Sequence, residues 1–264
     1  RDWSSDVCSS DLALAEGRFV TLAEVAPPRG LDLTAAVDLA RRCADLGATA
    51  VNVPDYPRSS GHASALALAQ QIAARGVEPV LHYAARQRTL TGMQADLLGA
   101  HAMGLRNVLL VTGDPPSQGT YADATAIDDV DAIGLTNMVT RLNHGLDIGG
   151  QALGGAAAFH VGVAVNLRAP SLEAEWRRLH YKVEAGAEFI LTPAVFDLEA
   201  FLAAWPALAA TGLPVIVGLV PIESLRQAEF IASEVTDVTV PDAMLDRLRA
   251  AADPAAEGMA MARE

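Results

Sequence analysis

The chain has 264 residues, of which 51% are hydrophobic and 19% charged, enough apolar material for a sizeable core and too much for a disordered chain. With 19 Lys and Arg against 32 Asp and Glu the formal charge is −13, which argues against binding nucleic acid or an anionic membrane over a broad surface. The two cysteines, Cys8 and Cys43, have neither C-x-x-C nor metal-cage spacing, and no apolar run reaches the ~18 residues of a membrane span, so a reduced, cytoplasmic protein is expected.

Residues 1–12, RDWSSDVCSSDL, are rich in Ser and Asp and differ in composition from the Ala/Leu/Val-rich remainder of the chain. They are expected to form a non-native or disordered tail, leaving 13–264 as one domain. Apolar, β-branched runs then recur at Phe19–Val25, Thr49–Val53, Val77–His82, Arg106–Val111, His160–Asn166, Glu188–Thr192 and Pro214–Leu219. Between and after them lie Ala/Leu-rich segments of helical period: Asp32–Leu46, Ala63–Arg75, Thr89–Met103, Asp131–Leu146, Ser171–Ala185, Asp197–Ala209 and Glu223–Ser233. Several of these open on a Thr, Ser or Asp suited to N-capping, and Gly47, Gly76, Gly104 and Gly186 stop four of them. The first four strands start about 30 residues apart, the spacing of successive βα units in a parallel sheet.

Seven such units either close into a barrel or lie open as a doubly wound sheet. The first strand ends in Ala23-Glu24-Val25-Ala26-Pro27-Pro28 where a dinucleotide fold wants G-x-G-x-x-G, so the expected fold is a single-domain α/β (β/α)8 TIM barrel. Its eighth strand is expected to be missing unless Val235–Val240 supplies it. Asp253-Pro254 suits the start of one more helix, yet no strand follows before Glu264, and the chain reads as a fragment lacking its C-terminal end.

Barrel chemistry concentrates at the C-terminal ends of strands, where this sequence places Glu24, Asn52, Asp55, His82, Thr112, Gly113, Asp114, Asn166 and Thr192. Glu24 in an apolar strand is either a general acid of raised pKa or half of an ion pair. Asp114 follows Gly113 at the start of the longest connection, which runs to Asp131. It is a second carboxylate on the same face or a capping residue in a turn. His82 is a catalyst or a satisfied core histidine. Lys182, the only lysine, is a phosphate ligand or part of a solvated helix face. The histidines show no metal-ligand spacing, and no metal is expected.

Together, Ala23–Pro28, His82-Tyr83-Ala84-Ala85-Arg86-Gln87-Arg88, Gly92–His101, Thr112-Gly113-Asp114-Pro115-Pro116, Asp129–Leu135, Gly162–Asn166, Lys182–Ala187 and Gly218–Pro221 resemble the methylenetetrahydrofolate reductase family, over nearly all of the chain from Phe19. The resemblance implies an FAD-containing barrel that reduces 5,10-methylenetetrahydrofolate to 5-methyltetrahydrofolate by ping-pong hydride transfer from NADH or NADPH. It implies catalytic roles for Glu24, as the acid that opens the folate ring, and for Asp114, as the carboxylate facing the pterin. His82, Thr112, Gly113, Asp131, Asn166 and Lys182 then match cofactor-binding positions. Thr192 is followed by Pro193 where the family usually has glutamine, and Asp128 stands where an aromatic residue is usual. A non-catalytic folate- or flavin-binding barrel subunit of a one-carbon methyltransferase system is the alternative. A homo-oligomer and a fusion to a methyltransferase module are both compatible with the resemblance.

Overall fold

The computed structural model describes residues 9–55, 61–235 and 238–264, so Cys8 lies outside the described residues. The chain divides into two compact units, one reaching to Val163 and including Glu184–Glu188, the other made of Ala164–Val183 and Phe189–Glu264.

The first unit runs α1 (Ser9–Ala15), β1 (Leu22–Glu24), α2 (Thr34–Asp45), β2 (Ala50–Val53), α3 (Ala65–Ala73), β3 (Pro79–Ala84), α4 (Leu90–Ala102), β4 (Asn107–Val111) and α5 (Ala132–Asn143), with β5 (His160–Ala164) at its boundary. Each strand from β1 to β4 pairs in parallel with its successor in sequence, as right-handed βα crossovers require. Alternation along the strands sorts the side chains. Val51, Val53, Leu81, Tyr83, Val108, Leu110 and Val161 are buried in one cluster with Val37, Leu68, Ile72, Met93, Leu97 and Leu135 from the helices. Glu24, Asn52, Val80, His82, Asn107 and Leu109 occupy the opposite face by register. A parallel strand covered on both faces is usually apolar throughout, so the carboxyl, amide and imidazole on that second face mark where the sequence departs from packing alone.

The second unit holds α6 (Leu172–Glu184) up to Val183, β6 (Phe189–Ala194), α7 (Leu198–Ala209), β7 (Val215–Gly218), α8 (Leu225–Glu234), α9 (Asp242–Ala250) and α10 (Pro254–Met261). β6 and β7 are parallel, with a bulge between Leu191 and Ala194. Ile222, Ala228, Val240, Leu245 and Leu248 form its C-terminal core, and Gly258 lets α10 approach so closely that a Cβ there would run into the Ile222 carbonyl.

All seven expected strands are present, and the four stop glycines adopt positive φ, from 77° at Gly76 to 112° at Gly186, the left-handed conformation that ends a helix at least cost to glycine. Thr89, Asp131, Asp197 and Asp253 cap their helices through side-chain oxygens. Among the described residues no strand follows β7. Thr236 and Asp237 of the candidate eighth strand lie outside the described residues, and Val240 is buried among helices instead. Helix α9 was not expected. The expected tail boundary at residue 12 falls inside α1, where the Glu78 carboxylate accepts hydrogen bonds from the Ser9 backbone N–H (2.6 Å) and both serine hydroxyls. No helix of the described residues is long and apolar enough to cross a membrane.

Candidate functional site

In the first unit a cavity of about 440 Å³ opens at the C-terminal ends of β2, β3 and β4, lined by Asp55, Ala84, Arg86, Arg88, Gly113 and Asp114 among others. That is within the size range of small-molecule sites. Its floor is built by backbone geometry. Ala85 and Arg86 donate their N–H groups to Val111 and Thr112 (3.0 and 2.9 Å), prolonging the β3–β4 ladder past the strands. Gln87 then turns with φ 65°, and its N–H reaches Ile127 O at 3.2 Å. Gly113 has φ 86°, and a Cβ there would lie 2.9 Å from that of Ala84, so glycine is required both by conformation and by the close approach.

The two arginines of the lining are held differently. Arg88 is held by three hydrogen bonds: Nη1 donates to Asp55 Oδ2 at 2.7 Å and to Ala84 O at 2.8 Å, and Nη2 to Asp55 Oδ1 at 3.3 Å. Its guanidinium carbon stands 4.4 Å from the centre of the Tyr83 ring, whose hydroxyl donates to Asp96 at 2.8 Å. Asp55, with a side chain only 1% exposed, also accepts the Ala84 N–H at 2.9 Å. Arg86 makes one ion pair, Nη1 to Asp128 Oδ1 at 3.2 Å.

The expected site residues of this unit fall into two groups. Gly113 and Asp114 line the cavity, and Thr112 Oγ1 accepts the Ala132 N–H at 3.1 Å, tying the start of α5 to the end of β4. Asp131 caps α5, accepting from Ile133 and Gly134 at 3.0 and 3.1 Å. Glu24 and His82 do not line this cavity. Glu24 pairs in register with Asn52. Its surface is exposed, yet the protein around it raises its carboxyl above the usual value by desolvation. His82 is pushed down to about 4 by burial and is a neutral imidazole at physiological pH. Among the described residues Asn52 Oδ1 and His82 Nε2, on the second face of the sheet, and Arg86 Nε, in the cavity lining, are buried without a hydrogen-bond partner. Buried polar groups are nearly always satisfied, so each of these atoms calls for an explanation.

In the second unit Asn166 follows the end of β5; its N–H donates to Glu175 Oε1 at 2.9 Å and its Oδ1 accepts from Arg168 at 2.8 Å. Lys182 is buried, with Nζ donating to Ala164 O at 2.7 Å and 3.9 Å from Glu175, which corrects the solvated-face reading. Glu175, Leu179 and Lys182 are spaced as one buried helical face, a periodicity legible in the sequence. Thr192 Oγ1 accepts the Gly218 N–H at 3.0 Å, and Pro193 sits in the β6 bulge, a position that tolerates the missing N–H. Arg86 and Arg88 are cavity residues to which the sequence alone assigned no role, and Asp55, expected as a polar strand-end residue, is the partner of Arg88. The ion pair of Asp55 and Arg88 spans 33 positions, and only the adjacency of two strand ends could have suggested it. Among the described residues no three His, Cys, Asp or Glu side chains gather as metal ligands.

Comparison with solved structures shows a fold of the TIM-barrel class. The tryptophan synthase alpha subunit of Legionella pneumophila str. Paris matches with TM-score 0.51 at 15% identity, over 96% of this chain and 94% of that one. A mutant tryptophan synthase alpha subunit of Pyrococcus furiosus matches with TM-score 0.52 at 10% identity, over 92% and 95%. Among curated proteins, a probable methylenetetrahydrofolate reductase (NADPH) of Caenorhabditis elegans is 28% identical over 66% of this chain and 25% of its own length. The 5,10-methylenetetrahydrofolate reductase of Pectobacterium carotovorum subsp. carotovorum is 27% identical over 53% of this chain and 42% of its own. The chain thus spans less than half the length of these relatives. The family model for methylenetetrahydrofolate reductase matches residues 10–263, and the chain belongs to the methylenetetrahydrofolate reductase family.

Proposed function

We propose that this chain reduces 5,10-methylenetetrahydrofolate to 5-methyltetrahydrofolate, using NADH or NADPH as donor and FAD as the carrier. The observation that supports this most directly is Glu24 at the end of β1, in register with the buried Asn52, a carboxyl that desolvation by the surrounding protein raises above its ordinary value. Opening the five-membered ring of the substrate needs a proton on the departing nitrogen, and a carboxyl group raised above its ordinary value is suited to give it. Asp114 puts a carboxylate in the cavity wall, where it stabilises the cationic iminium that ring opening produces.

The residues fit a flavin on observations independent of the family. Asn52 Oδ1, His82 Nε2 and Arg86 Nε are buried and unpartnered, a mixed acceptor and donor set suited to a polar heterocycle with an anionic tail. Gly113 keeps the backbone beside the cavity free of a side chain. FAD, when bound, supplies two-electron hydride chemistry between the nicotinamide donor and the folate. In this reading His82, uncharged above about pH 4, offers a hydrogen bond without adding charge. Thr112 and Asp131 hold the loop after β4 against the start of α5. Within the second unit Lys182 positions the end of β5 through Ala164.

The two half-reactions test the reading. Purified protein is expected to carry the yellow absorbance of bound flavin. Glu24→Gln is expected to leave bleaching by NADH or NADPH intact while abolishing reoxidation by methylenetetrahydrofolate. Equal loss of both half-reactions assigns Glu24 a structural role, and a colourless protein that takes up no added FAD overturns the flavin assignment.

A further inference from the structure

Arg86 is built into the cavity differently from its neighbour. Arg88 has Asp55, Ala84 O and the Tyr83 ring around it, and Asp96 stands 3.6 Å from its Nε. Among the described residues Arg86 has a buried Nε with no acceptor and a single ion pair, with Asp128, whose side chain is 53% exposed. Its backbone is clamped on both sides, by the bond from its own N–H to Thr112 O and by the left-handed turn at Gln87, and the Cβ position of Gly113 lies 3.4 Å from its Cβ. The bond from Gln87 to Ile127 O delivers Asp128 beside it. A guanidinium held in a cavity wall, with a donor open, is set up for an oxyanion that presents two oxygens and can take two N–H groups at once.

We propose that Arg86 reads an oxyanion of the bound ligand, a phosphate or a carboxylate, and that Asp128 is its resident counter-ion, displaced into solvent when that group arrives. An exposed ion pair contributes little in water, whereas a bidentate bond in the cavity also satisfies the orphaned Nε, so the exchange runs toward the ligand. The exposure of Asp128 lets it leave without stranding a charge. Asp114 lines the same cavity, so the anionic group of the ligand belongs on the Arg86 side.

The identity of the oxyanion rests on the functional reading above, since FAD carries phosphates and folate a glutamate tail. The experiment compares the wild type, Arg86→Gln, Arg86→Lys and Asp128→Asn by calorimetric titration. The probes are riboflavin against FMN, folic acid against its glutamate diamide, and bare pyrophosphate. Arg86→Gln is expected to weaken the anionic member of one pair by roughly ten- to a hundredfold, the loss of one charge-assisted contact, while its uncharged partner binds as before. Loss confined to FMN identifies a phosphate, and loss confined to folic acid a carboxylate. Arg86→Lys should recover part of the affinity, and Asp128→Asn should tighten binding severalfold, which keeps the test open if Arg86→Gln does not fold. If Arg86→Gln binds every probe as the wild type does, or Asp128→Asn weakens the anionic probes, the inference is overturned with the functional reading untouched. If the wild type binds neither flavin nor folate, the functional reading falls, and pyrophosphate alone then decides: binding lost in Arg86→Gln upholds the oxyanion site, and no binding by the wild type overturns it.

Discussion

The ammonium of Lys182 stands 2.7 Å from the carbonyl oxygen of Ala164, at the end of β5. Both Lys182 and the nearby Glu175 are buried, and Glu175 holds the backbone of Asn166, so one lysine on α6 ties down a strand end and the residue two beyond it. Lys182→Ala removes the cation and leaves the Glu175 carboxylate buried beside an unsatisfied carbonyl. A loss of about 3 kcal/mol is expected, the usual scale for breaking a buried pair from one side, measured as a lower urea midpoint. An unchanged midpoint with weakened flavin retention would make Lys182 a ligand contact only.

Arg88 and Asp55 form the corresponding pair in the first unit. Asp55 has almost no exposed side-chain surface, so Arg88→Met strands a charge that, among the described residues, the Ala84 N–H alone still satisfies. The expected cost is about 3–5 kcal/mol. Asp55→Asn combined with Arg88→Met should recover much of it, because the charge and its partner leave together. The double-mutant cycle is read from denaturant unfolding.

Glu24 and His82 tilt the pH dependence of stability in opposite directions. The carboxyl of Glu24 is raised in the folded state, so its contribution is fully present below the unfolded value and lost as pH rises through the folded one. Glu24→Gln is therefore expected to match the wild type near pH 4 and to exceed it increasingly at higher pH. His82 is lowered from 6.5 to about 4. The unfolded chain takes up a proton first, and stability falls as pH drops from about 6.5 toward 4. His82→Gln should flatten that acid limb, as followed by thermal unfolding across the range.

Gly113 is held at φ 86° with Ala84 directly against it. Gly113→Ala should lower stability by about 1–3 kcal/mol, the scale of a strained backbone conformation, and should reduce flavin binding because the added methyl group intrudes beside the cavity. Preserved binding with only the stability loss would show that the ligand does not pass over this glycine.

Much of this architecture is local in origin and was legible for that reason. The alternation of short apolar runs with Ala/Leu-rich segments needs no distant partner, and neither do the caps at Thr89, Asp131, Asp197 and Asp253 or the left-handed stops at Gly47, Gly76, Gly104 and Gly186. Each is decided by backbone conformation and by bonds within a few residues. Position in a βα unit also singled out Glu24, His82, Gly113 and Asp114, because strand ends are where a barrel exposes chemistry. The burial of Lys182 was readable in part, from the i, i+4, i+7 spacing of Glu175, Leu179 and Lys182.

The sequence by itself thus determined the order of the elements and the residues that stand at their ends. How those residues are used came with tertiary structure: Asp55 takes two N–H groups of Arg88 while Arg86 keeps an open donor, Lys182 points at Ala164, and Asp128 meets Arg86 from a loop about 40 residues away. Neighbouring cations on one strand end differ only in which distant acceptors reach them. Periodicity marks which face of a helix is buried, as for Glu175 and Lys182, but the pairing of charges from distant strand ends depends on surfaces that meet only in the fold, and composition and periodicity carry no record of that meeting.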